Sequence, residues 1–152
     1  MKRAIGIAVA ILLTVAASFG QSAQKVDTIL ETEKATFGHA AYLIQTALND
    51  GSDELGFDTA FEQFKSENQN LIPDSVTAED VIPAKTYAFL LMKAFNIKGG
   101  LIYRIYPCAR YAYRDLRYLA VIQDKNDPDA VMSGAALLQI FGRIDTVQGG
   151  EQ

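Results

Sequence analysis

The sequence is poor in the residues that build catalytic and metal centres. It has one histidine, His39, and one cysteine, Cys108. Zinc sites normally recruit several histidine or cysteine ligands, and a hydrolytic triad needs a nucleophile held beside its histidine. No nucleophile-elbow motif surrounds any serine, and the glycine pairs at 99–100 and 149–150 are isolated breaks rather than phosphate-cradling loops. These absences predict a protein that is not an enzyme and that holds no metal and no cofactor.

The single cysteine also excludes an internal disulfide in any redox compartment. Cys108 is expected to be a small buried apolar residue, as free cysteines often are. An intermolecular bridge or a reactive thiol is the alternative.

Basic residues are scarce relative to acidic ones, with 14 lysines and arginines against 18 aspartates and glutamates. The formal net charge of −4 disfavours a general nucleic-acid binder, because binding by counterion release needs many basic groups. Long apolar runs are also missing from the body of the chain. No membrane span is therefore predicted in the mature chain.

The N-terminus carries the one notable apolar run, from Ala4 to Ala17, behind two cations, Lys2 and Arg3. Small and polar residues follow it, which is the layout of a secretory signal peptide. Cleavage is predicted after Gly20, with a cut after Ala23 and an uncleaved membrane anchor as alternatives. The predicted division is a signal peptide at 1–20, a helical repeat domain at 21–144 and a flexible tail at 145–152.

A thirteen-residue apolar pattern recurs three times, over residues 35–47, 82–94 and 130–142. The central alanines of the copies are separated by 47 and 48 residues, and a repeat at such a period indicates stacked structural units. Each copy has the apolar stripe of an amphipathic helix. The prediction is an all-α fold of three helix-loop-helix units packed into one compact domain.

Further helices are predicted at 58–69, with Asp58 as N-cap, and at 107–120, opened by Pro107. The segment 101–106 is expected to be extended or a loop. Ser133 is expected to cap the last helix, which should end near Gly142. Each intervening helix should pair with the repeat helix that follows it, so that 58–69 packs with 83–95.

The repeat resembles the S-layer homology module, a family with two or three copies of a helix, a loop and a second helix. Residues 110–119 resemble its first helix, 126–129 its loop, and 82–95 its second helix. The positions that fit the second-helix template in the first two copies are Thr36, Ala41, Leu43, Ala47, Leu48, Ile82, Tyr87, Ala88, Leu90, Leu91, Lys93, Ala94 and Phe95. The resemblance implies the family's fold and an envelope role. The family's Thr-Arg-Ala-Glu turn, associated with wall-polymer binding, is absent from all three copies.

One helix face carries arginines at i, i+4 and i+7, and tyrosines are interleaved with them. Guanidinium groups bind carboxylates and phosphates, and aromatic rings stack on sugars or anchor interfaces. The alternative is a solvated helix face with tyrosines at the rim of the core. The predicted binding residues are Arg104, Arg110, Arg114, Arg117, Tyr103, Tyr106, Tyr111 and Tyr113.

Acidic residues also cluster in the loop at 123–129. A calcium loop of the EF-hand type needs alternating oxygen ligands, a central glycine and a distal glutamate. Pro128 interrupts that alternation and no such glutamate follows. A turn with helix-capping carboxylates is therefore the prediction for this loop.

Together, these patterns predict a non-catalytic protein of the cell envelope, periplasmic or secreted, that acts as a structural or adaptor module. An envelope protein is the expected partner. Binding of an anionic cell-wall polymer or peptidoglycan is the first alternative, and a small enzyme of unknown type is the second.

Overall fold

The structure describes residues 22–49, 55–123 and 127–148. These residues contain seven helices and no β-strand. The structure is a computed structural model. The all-α class predicted from the repeat is confirmed. The helices are α1 (22–31), α2 (Phe37–Leu48), α3 (Phe57–Glu67), α4 (Ala84–Ala94), α5 (Leu101–Ile105), α6 (Ala109–Tyr118) and α7 (Gly134–Gln148).

The three repeat helices α2, α4 and α7 begin close together, because the segments before them are hydrogen-bonded to one another. The N–H of Ala35 donates to the carbonyl of Met132 at 2.7 Å, and the N–H of Ile82 donates to the carbonyl of Ala35 at 3.0 Å. The N–H of Ala84 donates to the carbonyl of Ala130 at 3.2 Å. Each of the three segments is thus bonded to the other two, which satisfies backbone groups that burial would otherwise leave unpaired.

The helix pairs differ from those predicted. We expected 58–69 to pack with 83–95, and 107–120 with 133–141. In the structure α2 packs mainly against α3, and α4 packs mainly against α6. A short connection favours packing between consecutive helices, and fewer residues separate α2 from α3 (49–56) than separate α3 from α4 (68–83).

The last repeat helix packs against the first helix of the chain. The N–H of Gly134 donates to the carbonyl of Thr32 at 2.8 Å, and Gly134 lies against the backbone of Ile29. Residues from the two ends of the described chain are therefore in contact. Helix α1 was not among the helices predicted from the sequence.

The core joins all of these pairs. Large side chains with almost no exposure come from α2, α3, α4, α6 and α7, and they include Tyr42, Phe61, Phe64, Tyr87, Leu116 and Leu137. The hydroxyl of Tyr87 donates to the carbonyl of Leu137 at 3.4 Å, which links α4 to α7 inside the core.

Helix boundaries follow the predictions with several corrections. Ser133 accepts from the N–H of Ala136 at 3.2 Å and caps α7 as predicted. The N-cap of α3 is Gly56, and Asp58 lies in the first turn, where its negative charge interacts favourably with the helix dipole.

The segment 101–106, expected to be extended or a loop, contains α5. Helix α7 continues to Gln148, so residues 145–148 are helical rather than part of a tail. The predicted signal peptide and residues 149–152 lie outside the described residues.

Candidate functional site: an arginine-lined cleft on helix α6

Helix α6 buries one face and presents cations on another. Ala112 and Leu116 are fully buried against the core, one turn apart, whereas Leu119, which continues their i, i+4, i+7 series, is 40 % exposed. Arg110, Arg114 and Arg117 are exposed on a different face of the helix. The amphipathic spacing thus directs the guanidinium groups outward.

Five of the eight predicted binding residues line one cleft. Its volume is ≈ 410 Å³, and Pro128 closes its far side. The Pro128 carbonyl accepts from the N–H of Lys85 at 2.9 Å, and the Lys85 ammonium pairs with Asp129. The loop that carries Pro128 is therefore tied to the start of α4. The five residues from α6 are Arg110, Tyr111, Tyr113, Arg114 and Arg117.

The guanidinium groups of the cleft are largely uncompensated. The Arg114 guanidinium lies 5.0 Å from the centroid of the Tyr111 ring and 3.5 Å from an Asp115 carboxylate oxygen. Within the described residues, no carboxylate lies within ion-pair distance of Arg110 or Arg117. An anion entering the cleft would therefore meet two guanidinium groups that no carboxylate of the described residues occupies.

Asp115 is the only acidic residue of α6, and in addition to its contact with Arg114 it bonds to a neighbouring segment. Its side chain is 8 % exposed, and one carboxylate oxygen accepts from the N–H of Gly100 at 2.8 Å. This bond joins α6 to the start of α5. The acid therefore serves the fold and leaves most of the positive charge of the cleft in place.

The charge asymmetry extends well beyond α6. Residues 85–117 contain seven of the 14 lysines and arginines of the chain but only one of its 18 acidic residues, Asp115. The rest of the chain is correspondingly acidic. Counting charges over successive segments would have revealed this asymmetry from the sequence.

Tyr103 does not lie in the cleft, contrary to its predicted role. Its side chain is 7 % exposed, and its ring packs edge-on against Phe89 with centroids 6.4 Å apart. Burial, with the nearby negative charges of Asp115 and Cys108, raises the pKa of its hydroxyl above the ordinary value of 10.0. Its position on the inner face of α5 explains the difference, since the sequence did not identify that helix.

The other predicted binding residues differ in their exposure and in whether they line the cleft. Tyr113 lines the cleft with only the edge of its side chain, which is 2 % exposed. Arg104 and Tyr106 are exposed but belong to the α5 region and do not line the cleft. The predicted surface thus divides into the α6 cleft, a buried tyrosine and a separate α5 surface.

A second cavity lies on the other side of Tyr113, and the sequence did not indicate it. Its volume is ≈ 350 Å³, and it lies between the start of α4 and one face of α7. Its lining is mixed, with Glu33, Gln139 and Arg143 beside apolar residues such as Met132 and Ile140. The guanidinium of Arg143 donates to the carbonyl of Val121 at 3.3 Å, so this cation has a structural partner.

The remaining candidate groups have structural roles. The Asp127 carboxylate accepts from the N–H of Asp129 at 3.0 Å, the turn geometry expected for this loop, whereas Asp124 and Asn126 lie outside the described residues. Cys108 is a half-buried free thiol at the N-cap of α6, more exposed than predicted. Among the described residues, no group of three or more histidine, cysteine or acidic side chains is arranged to hold a metal ion.

His39 completes a helix cap. Its Nδ1 accepts from the N–H of Thr36 at 3.3 Å, and the Thr36 hydroxyl accepts from the N–H of His39 at 3.4 Å. The ring packs edge-on against Phe57 with centroids 4.8 Å apart. Burial lowers the pKa of His39 below its ordinary value of 6.5.

Two further findings bear on what the chain is. In the part of the chain that the structure describes, every helix is too short or too polar to cross a membrane. Comparisons with protein-family models, with curated proteins and with solved structures find no match to this chain.

Proposed function

We propose that the protein is a non-catalytic module of the cell envelope, periplasmic or secreted, that binds an acidic partner protein through the α6 cleft. The observation that carries the proposal is the pair of guanidinium groups at Arg110 and Arg117, which share one cleft and lack carboxylate partners among the described residues. Arginine forks bind carboxylates bidentately and are enriched in the centres of protein interfaces.

The surroundings of these arginines support a protein partner. Tyr111 provides a partly exposed ring beside the Arg114 guanidinium, and tyrosine is a frequent interface anchor because it is rigid and amphipathic. The positive charge of residues 85–117 would also steer an acidic surface toward the cleft. The predicted signal peptide supports export to the envelope.

The repeat supports an architecture for this module. The hydrogen bonds that join the segments before α2, α4 and α7 support our proposal that three units, similar to those of the S-layer homology module, meet at one junction. The observed helix pairs differ from the predicted pairs, so the units we propose also differ from the predicted units. In this arrangement each unit consists of a repeat helix and its main packing partner.

The test is capture of cross-linked partners from intact envelope with the wild type and with Arg110→Glu/Arg117→Glu. The proposal requires one or more acidic proteins to be enriched with the wild type and reduced about tenfold or more with the variant, because two charge-assisted contacts become repulsive. The control is Lys34→Glu, which reverses an exposed cation outside the cleft. Equal recovery with all three proteins would contradict the proposal.

The second candidate function is binding of an anionic cell-wall polymer in the same cleft. It is favoured by the partly exposed Tyr111 ring beside the guanidinium groups, since rings stack on sugars and guanidinium groups bind phosphate or carboxylate. It predicts co-sedimentation with purified wall sacculi that weakens as salt rises, because exposed charge pairs are screened. Retention of the protein in the supernatant at low salt would exclude this function.

A further inference from the structure

Helix α5 presents an apolar surface to solvent. Leu101 and Ile105 are 71 % and 75 % exposed, and their i, i+4 spacing places them side by side. Ile102 and Tyr106 are 46 % and 69 % exposed and extend the same surface. We define these four residues as the α5 patch. Single exposed apolar residues are ordinary, whereas four within six positions indicate an interaction surface.

The α5 patch is held in place from beneath. Tyr103 anchors the helix in the core against Phe89, and the Asp115 carboxylate holds the N–H of Gly100 at the helix start. A side-chain carbon at Gly99 would lie 2.8 Å from the Asp115 carboxylate, so the turn before α5 is closely packed. The four apolar side chains therefore project from a defined position.

The charge around the patch selects the chemistry of its occupant. No aspartate or glutamate occurs between Val81 and Arg114. Arg104 lies within α5 and is exposed, and exposed Lys98 precedes the helix. The occupant must accept apolar side chains and carry negative charge next to them.

We propose that the α5 patch contacts the surface of an anionic lipid bilayer. Leu101, Ile102 and Ile105 would enter the acyl boundary, and the cations would contact lipid phosphates through flexible apolar stems. Tyr106 has the amphipathic ring that is enriched at headgroup level. A bilayer accepts projecting side chains without a preformed pocket, whereas a protein partner needs a complementary cavity for each of them.

This contact is independent of the ligand of the α6 cleft. Its residues lie on a different helix, and none of the α5 patch lines the cleft. A module attached to a bilayer by α5 would keep its cleft available for a partner in the envelope space. The two surfaces can therefore be tested separately.

The first experiment measures partitioning onto sucrose-loaded vesicles of phosphatidylcholine alone and of phosphatidylcholine with phosphatidylglycerol. The protein is used in the form that its cell produces after any processing of the N-terminus. Every variant carries the same N-terminus as the wild type. We expect Leu101→Ser/Ile105→Ser to lower partitioning onto the anionic vesicles by about tenfold or more, because two large side chains no longer transfer from water. Arg104→Glu should lower it by about fivefold or more, and high salt should weaken binding.

The matched control is Leu30→Ser/Val131→Ser, which removes two exposed apolar side chains elsewhere on the surface. Thermal unfolding of each variant checks that it is folded. Wild-type partitioning by the α5 variant, an equal loss with the control pair, or no preference for anionic vesicles would overturn the proposal. Self-association that the α5 variant abolishes, without vesicle binding by the wild type, would assign the patch to a second copy instead.

The second experiment reads the position of α5 directly and does not depend on how the N-terminus behaves. Ile105→Cys is made in a Cys108→Ser background and labelled with an environment-sensitive fluorophore. We expect the emission to shift to shorter wavelength on anionic vesicles but not on phosphatidylcholine alone. Labelling at Ser66→Cys, exposed on α3, should give no shift. An unchanged spectrum at position 105 would overturn the proposal.

Discussion

The backbone carbonyl of Ile29 lies directly against Gly134. It occupies the space that a Cβ atom at position 134 would need. This contact brings the end of α1 against the start of α7. It is a backbone contact, so a side-chain rotation cannot relieve a clash there. Gly134 therefore allows the first and last helices of the described chain to meet.

Gly134→Ala should lower the free energy of unfolding by about 1–3 kcal/mol or more, because α1 and α7 must separate to admit a methyl group. Urea denaturation measures the change. The matched control is Gly142→Ala in the same helix, where an added carbon meets nothing within 4 Å. That substitution should be neutral or stabilise by about 0.5–1 kcal/mol, through helix propensity. Equal effects at both positions would refute the close-contact explanation.

Asp115→Ala should destabilise the protein by about 1–3 kcal/mol, because a hydrogen bond from the N–H of Gly100 to a charged acceptor is lost in a partly buried site. Asp115→Asn keeps an acceptor oxygen and should cost less. Chemical denaturation of the two variants gives the comparison. An alanine variant as stable as the wild type would show that this bond does not hold α5 to α6.

Asp115→Asn should also lower the pKa of the Tyr103 hydroxyl toward 10.0, because it removes a negative charge that opposes ionisation. Burial, the larger cause of the raised pKa, remains in the variant. Absorbance titration at alkaline pH, with Tyr103→Phe identifying the Tyr103 component, measures this shift. A titration unchanged by Asp115→Asn would show that the carboxylate exerts no effective field at the ring.

Stability should fall as the pH drops below 6.5, through the lowered pKa of His39. The folded state disfavours the charged ring, so between the folded pKa and 6.5 the unfolded chain binds more protons and stability rises with pH. Protonation also removes the Nδ1 acceptor used by the N–H of Thr36. His39→Gln retains a capping-box acceptor and should flatten this part of the profile. An unchanged slope from pH 7 to pH 5 in that variant would assign the dependence to other groups.

The arrangement of the arginines could be predicted from the sequence because it follows from helix geometry. Spacings of three and four residues place side chains on one helix face wherever the helix lies. The same reasoning places Ala112, Leu116 and Leu119 on the inner face, and it is right for the first two but wrong for Leu119, which is 40 % exposed at the end of the helix. Pro128 could not be identified as the far wall of the cleft, because it comes from a loop brought there by hydrogen bonding to α4.

The tyrosines show where the reasoning from sequence stopped. Tyr103, Tyr106, Tyr111 and Tyr113 are the same residue type in one short segment, but Tyr103 is buried and Tyr106 is largely exposed. Their difference depends on α5, a helix of five residues that is too short to produce a clear periodic pattern. Its start is held by Asp115, a contact between residues fifteen positions apart.

The sequence by itself determined the helical class, the three repeated apolar stripes, the cap at Ser133 and the exposed arginine face of α6. All of these are local, since they depend on periodicity and on side chains bonding to nearby backbone. Only the tertiary structure decided which helices pack together, how α7 meets α1 at Gly134, and which aromatic residues line the cleft. Those features depend on contacts between distant segments, where close packing and unpaired backbone groups select one arrangement among many.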